Sequence, residues 1–143
     1  MKMKSLILLL TLFNIKGLAQ SMEGEWNGYF RNDIDRTDTK YTLIFSKIND
    51  STYRVESWTY KEFNKNKYDT AICILQGGFS NENILYLEET KAIKSFSSDG
   101  ETACLQLMKL FYKKRKKFYV LDGDWFTNDN KCGNGSVHLT KSF

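Results

Sequence analysis

The stretch Gly24-Glu25-Trp26-Asn27-Gly28-Tyr29-Phe30 decides how this 143-residue chain is read. Side chains alternate across a strand, so a strand here sets Gly24, Trp26, Gly28 and Phe30 on one face. The order apolar, acid, Gly, acid, Trp in Met22-Glu23-Gly24-Glu25-Trp26 returns in Leu121-Asp122-Gly123-Asp124-Trp125. Gly123 and Trp125 again share a face, and each Gly is expected to leave room for its Trp to lie flat. The two segments read as the two ends of one all-β core.

Outward from these ends, turn chemistry separates a series of strand candidates: 25–31, 40–47, 52–60, 68–76, 84–90, 102–112, 118–126 and 136–141. Aromatic residues make up 15% of the chain and proline is absent, which suits strands better than helices or disorder. In 40–47 the alternation is clean, with Tyr41, Leu43 and Phe45 on one side. In 52–60 it conflicts, because Tyr53 and Val55 argue for one face and Trp58 and Tyr60 for the other; a bulge or an aromatic-lined polar surface accounts for such a pattern. Ile72, Cys73, Ile74 and Leu75 make 68–76 apolar on both faces, which predicts cover on both sides by a short helix, a terminal segment or a partner chain. The longest hairpin joins 102–112 to 118–126 through Lys113-Lys114-Arg115-Lys116-Lys117. A turn centred on Arg115 sets Leu105 opposite Trp125, Leu107 opposite Gly123 and Phe111 opposite Tyr119, an apolar face, with Gln106, Asp122 and Asp124 on the reverse. Short connections make the strands antiparallel. The expected fold is all-β, an antiparallel barrel of about eight to nine strands, because closure removes the edges such a chain would otherwise expose.

Lys2 and Lys4, the apolar run 6–13 and the small residues of Gly17-Leu18-Ala19 have the form of a secretory signal. The run is too short to span a bilayer. Residues 1–19 are therefore expected to be removed, leaving one barrel domain, 20–143, that is secreted or periplasmic. No Cys follows the expected cut, so lipid anchoring is not expected. Of the 21 Lys and Arg, three leave with the leader, so 18 face all 17 Asp and Glu in the mature chain. A polyanion-binding protein would keep a strong positive field after processing, so a nucleic acid partner is not expected. Three cysteines in an oxidising compartment leave one thiol over. The hairpin register above places Cys104 opposite Phe126, beside the start of the loop that carries Cys132, and predicts a Cys104–Cys132 disulfide. Cys73, between Ile72 and Ile74, is expected to be free and buried.

Few residues suggest chemistry. The run 113–117 reads as a solvated hairpin tip in preference to a site for nucleic acid, anionic polysaccharide or membrane head groups. His138 is the single histidine, so any triad or His-rich zinc site must use it; its place opposite Val137 and Leu139 makes it a strand-surface residue. Asp122 with Asp124, and Glu25 with Asn27, share strand faces, yet nothing singles them out as a carboxylate pair for glycoside chemistry. Asn128-Asp129-Asn130 lacks the spaced acids of a calcium loop. No catalytic constellation, metal or cofactor is expected. Trp58 and Tyr60, with Arg54 and Glu56 on the same face, form the one mixed aromatic and charged stripe. Trp58, Tyr60 and Arg54 are the candidate ligand-binding residues, with an ordinary exposed strand face as the plain alternative.

A Gly-x-Trp on the first strand of such a chain resembles the calycin superfamily of lipocalin-like and avidin-like barrels. The correspondence is confined to Gly24-Glu25-Trp26. The resemblance implies that Trp26 packs across the closed end of a barrel, and that a small apolar or aromatic ligand is carried without catalysis. The rival expectation is an envelope protein-interaction or structural module with no small ligand. A continuous apolar cavity would favour the carrier, and a filled core with an exposed apolar patch the module.

Overall fold

A computed structural model of the protein describes residues 22–96, 105–128 and 132–143. Eight antiparallel strands follow one another around a closed barrel: β1 (Gly24–Asn32), β2 (Asp38–Lys47), β3 (Tyr53–Asn64), β4 (Lys67–Phe79), β5 (Ile84–Lys94), β6 (Gln106–Lys114), β7 (Phe118–Thr127) and β8 (Gly135–Ser142). Each strand pairs with its neighbours in sequence, and β1 pairs with β8 to complete the ring, Gly28 lying opposite Leu139 and Phe30 opposite Val137. This is the all-β barrel that the alternation and short turns predict.

The inner faces follow the two-residue period. Trp26 on β1, Tyr41, Leu43 and Phe45 on β2, and Val137 and Leu139 on β8 are all buried. The conflict in β3 resolves without a bulge at that point: Tyr53, Val55 and Ser57 point inward, and Trp58 and Tyr60 stand on the outer face. A small polar residue had simply taken an inner position. The register shift in this strand lies further on, between Glu62 and Asn64.

One pole of the barrel is closed by rings. Trp26 meets Phe45, Tyr112 and Tyr119 at centroid separations of 6.3, 6.5 and 6.3 Å. Its indole N–H donates to the Met22 carbonyl at 3.0 Å, holding the incoming chain beneath the barrel. Trp125 lies toward the other pole, stacked on Phe30 at 4.3 Å, and donates to the Arg31 carbonyl at 2.8 Å.

The glycines act differently from expectation. A Cβ on Gly123 would meet the Lys109 carbonyl, so this glycine admits the neighbouring strand instead of its own Trp. The cross-strand partner of Trp125, Gly135, makes room both for β1 and for the Trp125 ring, since a Cβ there would stand 1.8 Å from the Arg31 carbonyl oxygen and 2.6 Å from the indole nitrogen.

The β6–β7 hairpin departs most from the sequence reading. Arg115 N–H donates to the Phe118 carbonyl at 2.8 Å, so the turn is centred between Lys116 and Lys117 and not on Arg115. The register moves by three residues: Met108 faces Trp125, Leu110 faces Gly123 and Leu107 faces Phe126. An odd slip reverses every side chain. Met108 and Leu110 therefore fill the core, while Leu105, Leu107 and Phe111, expected inside, are exposed. On β4, no helix or terminal segment among the described residues covers the outer face; Ile74 is shielded where it lies, with Glu56 and Lys91 as its cross-strand neighbours, and Ile72 is half-buried beside Trp58.

Cys73 is a free thiol, half-buried rather than fully buried. Cys132 is not free, and Cys104, its expected partner, lies outside the described residues. The register argument for their pairing no longer stands, since Phe126 faces Leu107.

Candidate functional site

The pole opposite the Trp26 cluster forms a mouth. β1 ends there, β2 starts there, and β3 turns into β4 through a tight hairpin in which Asn66 adopts a left-handed conformation, φ 63°. Asparagine tolerates that region better than most residues. The result is a cleft of about 700 Å³ lined by Phe30, Thr59, Tyr60, Tyr68 and Phe96, with Lys40 among the polar groups at its rim.

Tyr60 is the pivot of this cleft. Its ring stacks on Trp58 at 6.4 Å and 25°, meets Tyr68 edge-on at 6.5 Å, and carries the Lys40 ammonium 5.1 Å from its centroid. Trp58 is fixed in turn by a 2.6 Å hydrogen bond from its indole N–H to Glu56. Phe96 stands with the Lys61 ammonium 5.6 Å from its ring. In the β1–β2 connection, also on the lining, Asp35 accepts hydrogen bonds from the Thr37 hydroxyl at 2.7 Å and the Thr37 amide at 3.0 Å. Those bonds, the hydroxyl first, hold its carboxyl below the ordinary aspartate range.

Of the three residues singled out in the sequence, Trp58 and Tyr60 are brought together and Arg54 is not. Arg54 sits on the same outer face but six residues along β3, roughly 20 Å from Tyr60 at strand rise. Tyr68, Phe96, Phe30 and Lys40 were missed. Tyr68 lies opposite Glu62, two residues from Tyr60 on the same outer face, so the two rings are diagonal neighbours across the β3–β4 hairpin.

Beneath the mouth the interior turns polar. Along the inner face of β3, Ser57 precedes Thr59, which lines the cleft. Around Ser57 lie Tyr41 from β2, Cys73 from β4 and Glu89 from β5; Tyr41, Ser57 and Glu89 are buried. The Tyr41 hydroxyl donates to the Met108 sulfur at 3.9 Å, and the Gln106 amide donates to Glu89 at 3.2 Å. Burial pushes the Cys73 thiol up to about 12, the Glu89 carboxylate adding to the effect. Burial also raises Glu89 above the usual glutamate range, against the hydrogen bonds from Cys73 and Gln106, and raises Tyr41. A thiol this reluctant to ionise is a poor nucleophile.

His138 is held by Asp122 on the outside of the barrel, as its strand position predicted. The barrel wall separates it from Ser57 and Cys73. Among the described residues no group of three or more His, Cys, Asp or Glu is placed to hold a metal ion.

A second surface was not anticipated. Tyr86, Leu107, Phe111 and Phe126 form an exposed apolar face across β5, β6 and β7. Part of it is a groove of about 450 Å³ in which Tyr86, Leu107 and Phe126 converge. The Lys109 ammonium lies 5.9 and 5.6 Å from the rings of Tyr86 and Phe111.

Comparison of the chain with protein-family models, with curated proteins and with solved structures finds no match in any of the three.

Proposed function

We propose that this protein is a secreted or periplasmic, non-enzymatic, lipocalin-like barrel that holds a small aromatic or apolar ligand at its mouth. The observation that carries this reading is the cleft at the mouth lined by Tyr60, Tyr68 and Phe96, with Phe30 at its inner side and Lys40 and Lys61 beside the rings. Barrel mouths are recurrent ligand sites, and flat rings with a few fixed charges suit a planar ligand bearing an anionic or carbonyl group. The deep interior is packed with buried side chains, so the ligand rests in the mouth and does not sink to the Trp26 cluster. The raised Cys73 thiol and the wall between it and His138 support a binding role over catalysis.

The test is titration with anilinonaphthalene sulfonate, a planar aromatic anion, read by its fluorescence. Tyr60→Ala and Phe96→Ala should each weaken binding about tenfold, as expected for loss of roughly 1.4 kcal/mol of ring contact. Unchanged binding in both variants would remove the cleft as the site. Export predicts that N-terminal sequencing of the mature protein begins near Gln20; an intact Met1 on cytoplasmic protein would contradict it.

The filled core and the exposed face of Tyr86, Leu107, Phe111 and Phe126 favour a second reading, an envelope interaction module that meets a protein partner there. Leu107→Asp should then abolish partner capture and leave probe binding at the mouth intact.

A further inference from the structure

The closed pole has a charge character of its own. Lys113, Lys114, Arg115, Lys116 and Lys117 are all exposed at the β6–β7 tip, and Lys141 on β8 lies beside them, opposite Tyr119. Outside 113–117, the expected mature chain has 13 Lys and Arg against 17 Asp and Glu. The molecule is thus polarised, with a cationic tip on an acidic body. The acids at this pole, Glu23, Asp50 and Glu82 among them, are fewer than its cations and partly engaged: Asp50 pairs with Lys47 at 3.0 Å, Glu23 accepts from the Lys47 amide at 3.2 Å, and Asp122, further along β7, sits 4.0 Å from Lys113.

Apolar side chains accompany the charge. Phe118 directly follows the run and is 41% exposed, and Phe143 beside it is 63% exposed. The Phe143 ring lies 4.5 Å from Tyr119 and 5.7 Å from the Lys114 ammonium. Across the pole, in the β2–β3 turn, Ile48 is exposed as well. A polyanion such as nucleic acid or heparin uses the cations and has little use for outward-facing Phe and Ile. A lipid interface uses both, since long cationic side chains meet head groups while apolar rings enter the acyl boundary. The chain also enters the barrel at this pole, where Met22 is held under Trp26.

We infer that the closed pole, through residues 113–117 and Phe118, is a docking surface for anionic phospholipid bilayers. Docked in this way, the barrel stands with its mouth away from the lipid and open to solvent. The contact is peripheral and electrostatic, and so is screened by salt.

The test uses the mature chain from Ser21, which lacks the leader, in co-sedimentation with vesicles of phosphatidylcholine alone or with about 30 mol % phosphatidylglycerol. Binding should occur on the anionic vesicles only and fall at least tenfold between about 0.05 and 0.5 M salt. The double variant K116E/K117E should lose binding at least tenfold. Phe118→Ser should lose it several-fold while retaining heparin binding, and circular dichroism should show both variants folded. Equal sedimentation on neutral and anionic vesicles would overturn the inference. So would wild-type binding by K116E/K117E, or heparin binding without any vesicle binding, which would make the partner a soluble polyanion.

Discussion

Glu89 carries a carboxyl group into the barrel, where it meets the Cys73 thiol and the Gln106 amide and is 4% exposed. Burial, as the larger effect, raises its pKa above 4.5. The folded state therefore holds this proton more tightly than the unfolded chain does. Its contribution to stability is complete below the ordinary glutamate range and is lost as pH rises through the raised folded value. Glu89→Gln, which keeps the acceptor for Gln106, should raise the melting temperature at pH 7 and change it little near pH 3, below the ordinary glutamate range, where the acid is neutral in both states; melts at the two pH values decide it. A lower melting temperature at pH 7 would mean that the charged form is the stabilising one. Cys73, pushed to about 12, should resist a thiol reagent at pH 8 until denaturant is added. The tryptophans divide by the same logic of burial. Trp125→Ala removes a buried ring with a 2.8 Å hydrogen bond and should cost about 3 to 5 kcal/mol in denaturant unfolding. Trp58→Ala should cost under about 1 kcal/mol, because this ring stands on the outer face of β3.

The β6–β7 hairpin shows at the scale of elements what sequence patterning can and cannot specify. β6 is apolar on both faces, so alternation alone does not say which face is inner, and five consecutive cations at the tip offer no Gly or Asn to fix the turn. The register of Met108 opposite Trp125 predicts that Met108→Ser costs about 2 to 4 kcal/mol and Leu107→Ser under about 0.5 kcal/mol. The reverse order in urea denaturation would restore the turn centred on Arg115. β2 was legible because Tyr41, Leu43 and Phe45 recur at every second position with Lys40, Thr42 and Ser46 between and beside them, Ile44 being the one apolar residue on the other face. β3 was less so, because the polar Ser57 occupies a buried inner position among apolar neighbours. The cleft was legible only in part: Trp58 and Tyr60 share one strand, whereas Phe30, Tyr68 and Phe96 reach them from three other segments. A single strand's pattern carries no information about that convergence, and for the same reason Arg54, in pattern with Trp58, falls outside the site.

At the scale of the whole molecule, closure joins the two segments that frame the sequence. The β1–β8 seam pairs Asn27–Asn32 with Gly135–Thr140, across nearly the whole described chain. It is the pairing of greatest sequence separation, so it closes a ring whose other seams are all local hairpins. At its centre Gly28 lies opposite Leu139, and a Cβ there would stand 1.9 Å from the His138 carbonyl oxygen. That atom is backbone and held in a ladder, so it cannot turn aside as a flexible side chain would. Neighbouring strands press together at Gly28, just after the Gly-acid-Trp stretch in β1, and at Gly123 against β6; of the two glycines in the echo only Gly123 marks such a place, since a Cβ on Gly24 would meet just the Lys141 side chain at 3.5 Å. Gly28→Ala should part the seam and destabilise the barrel by about 1 to 3 kcal/mol, in the range for forcing extra atoms into a packed site. Hydrogen exchange distinguishes this from general weakening: protection should fall first at the β1 and β8 amides, while the β3–β4 hairpin keeps its own. Uniform loss across all eight strands would show that the barrel opens as one unit, and an unchanged melting temperature would show that β1 and β8 can separate enough to admit a methyl group without cost.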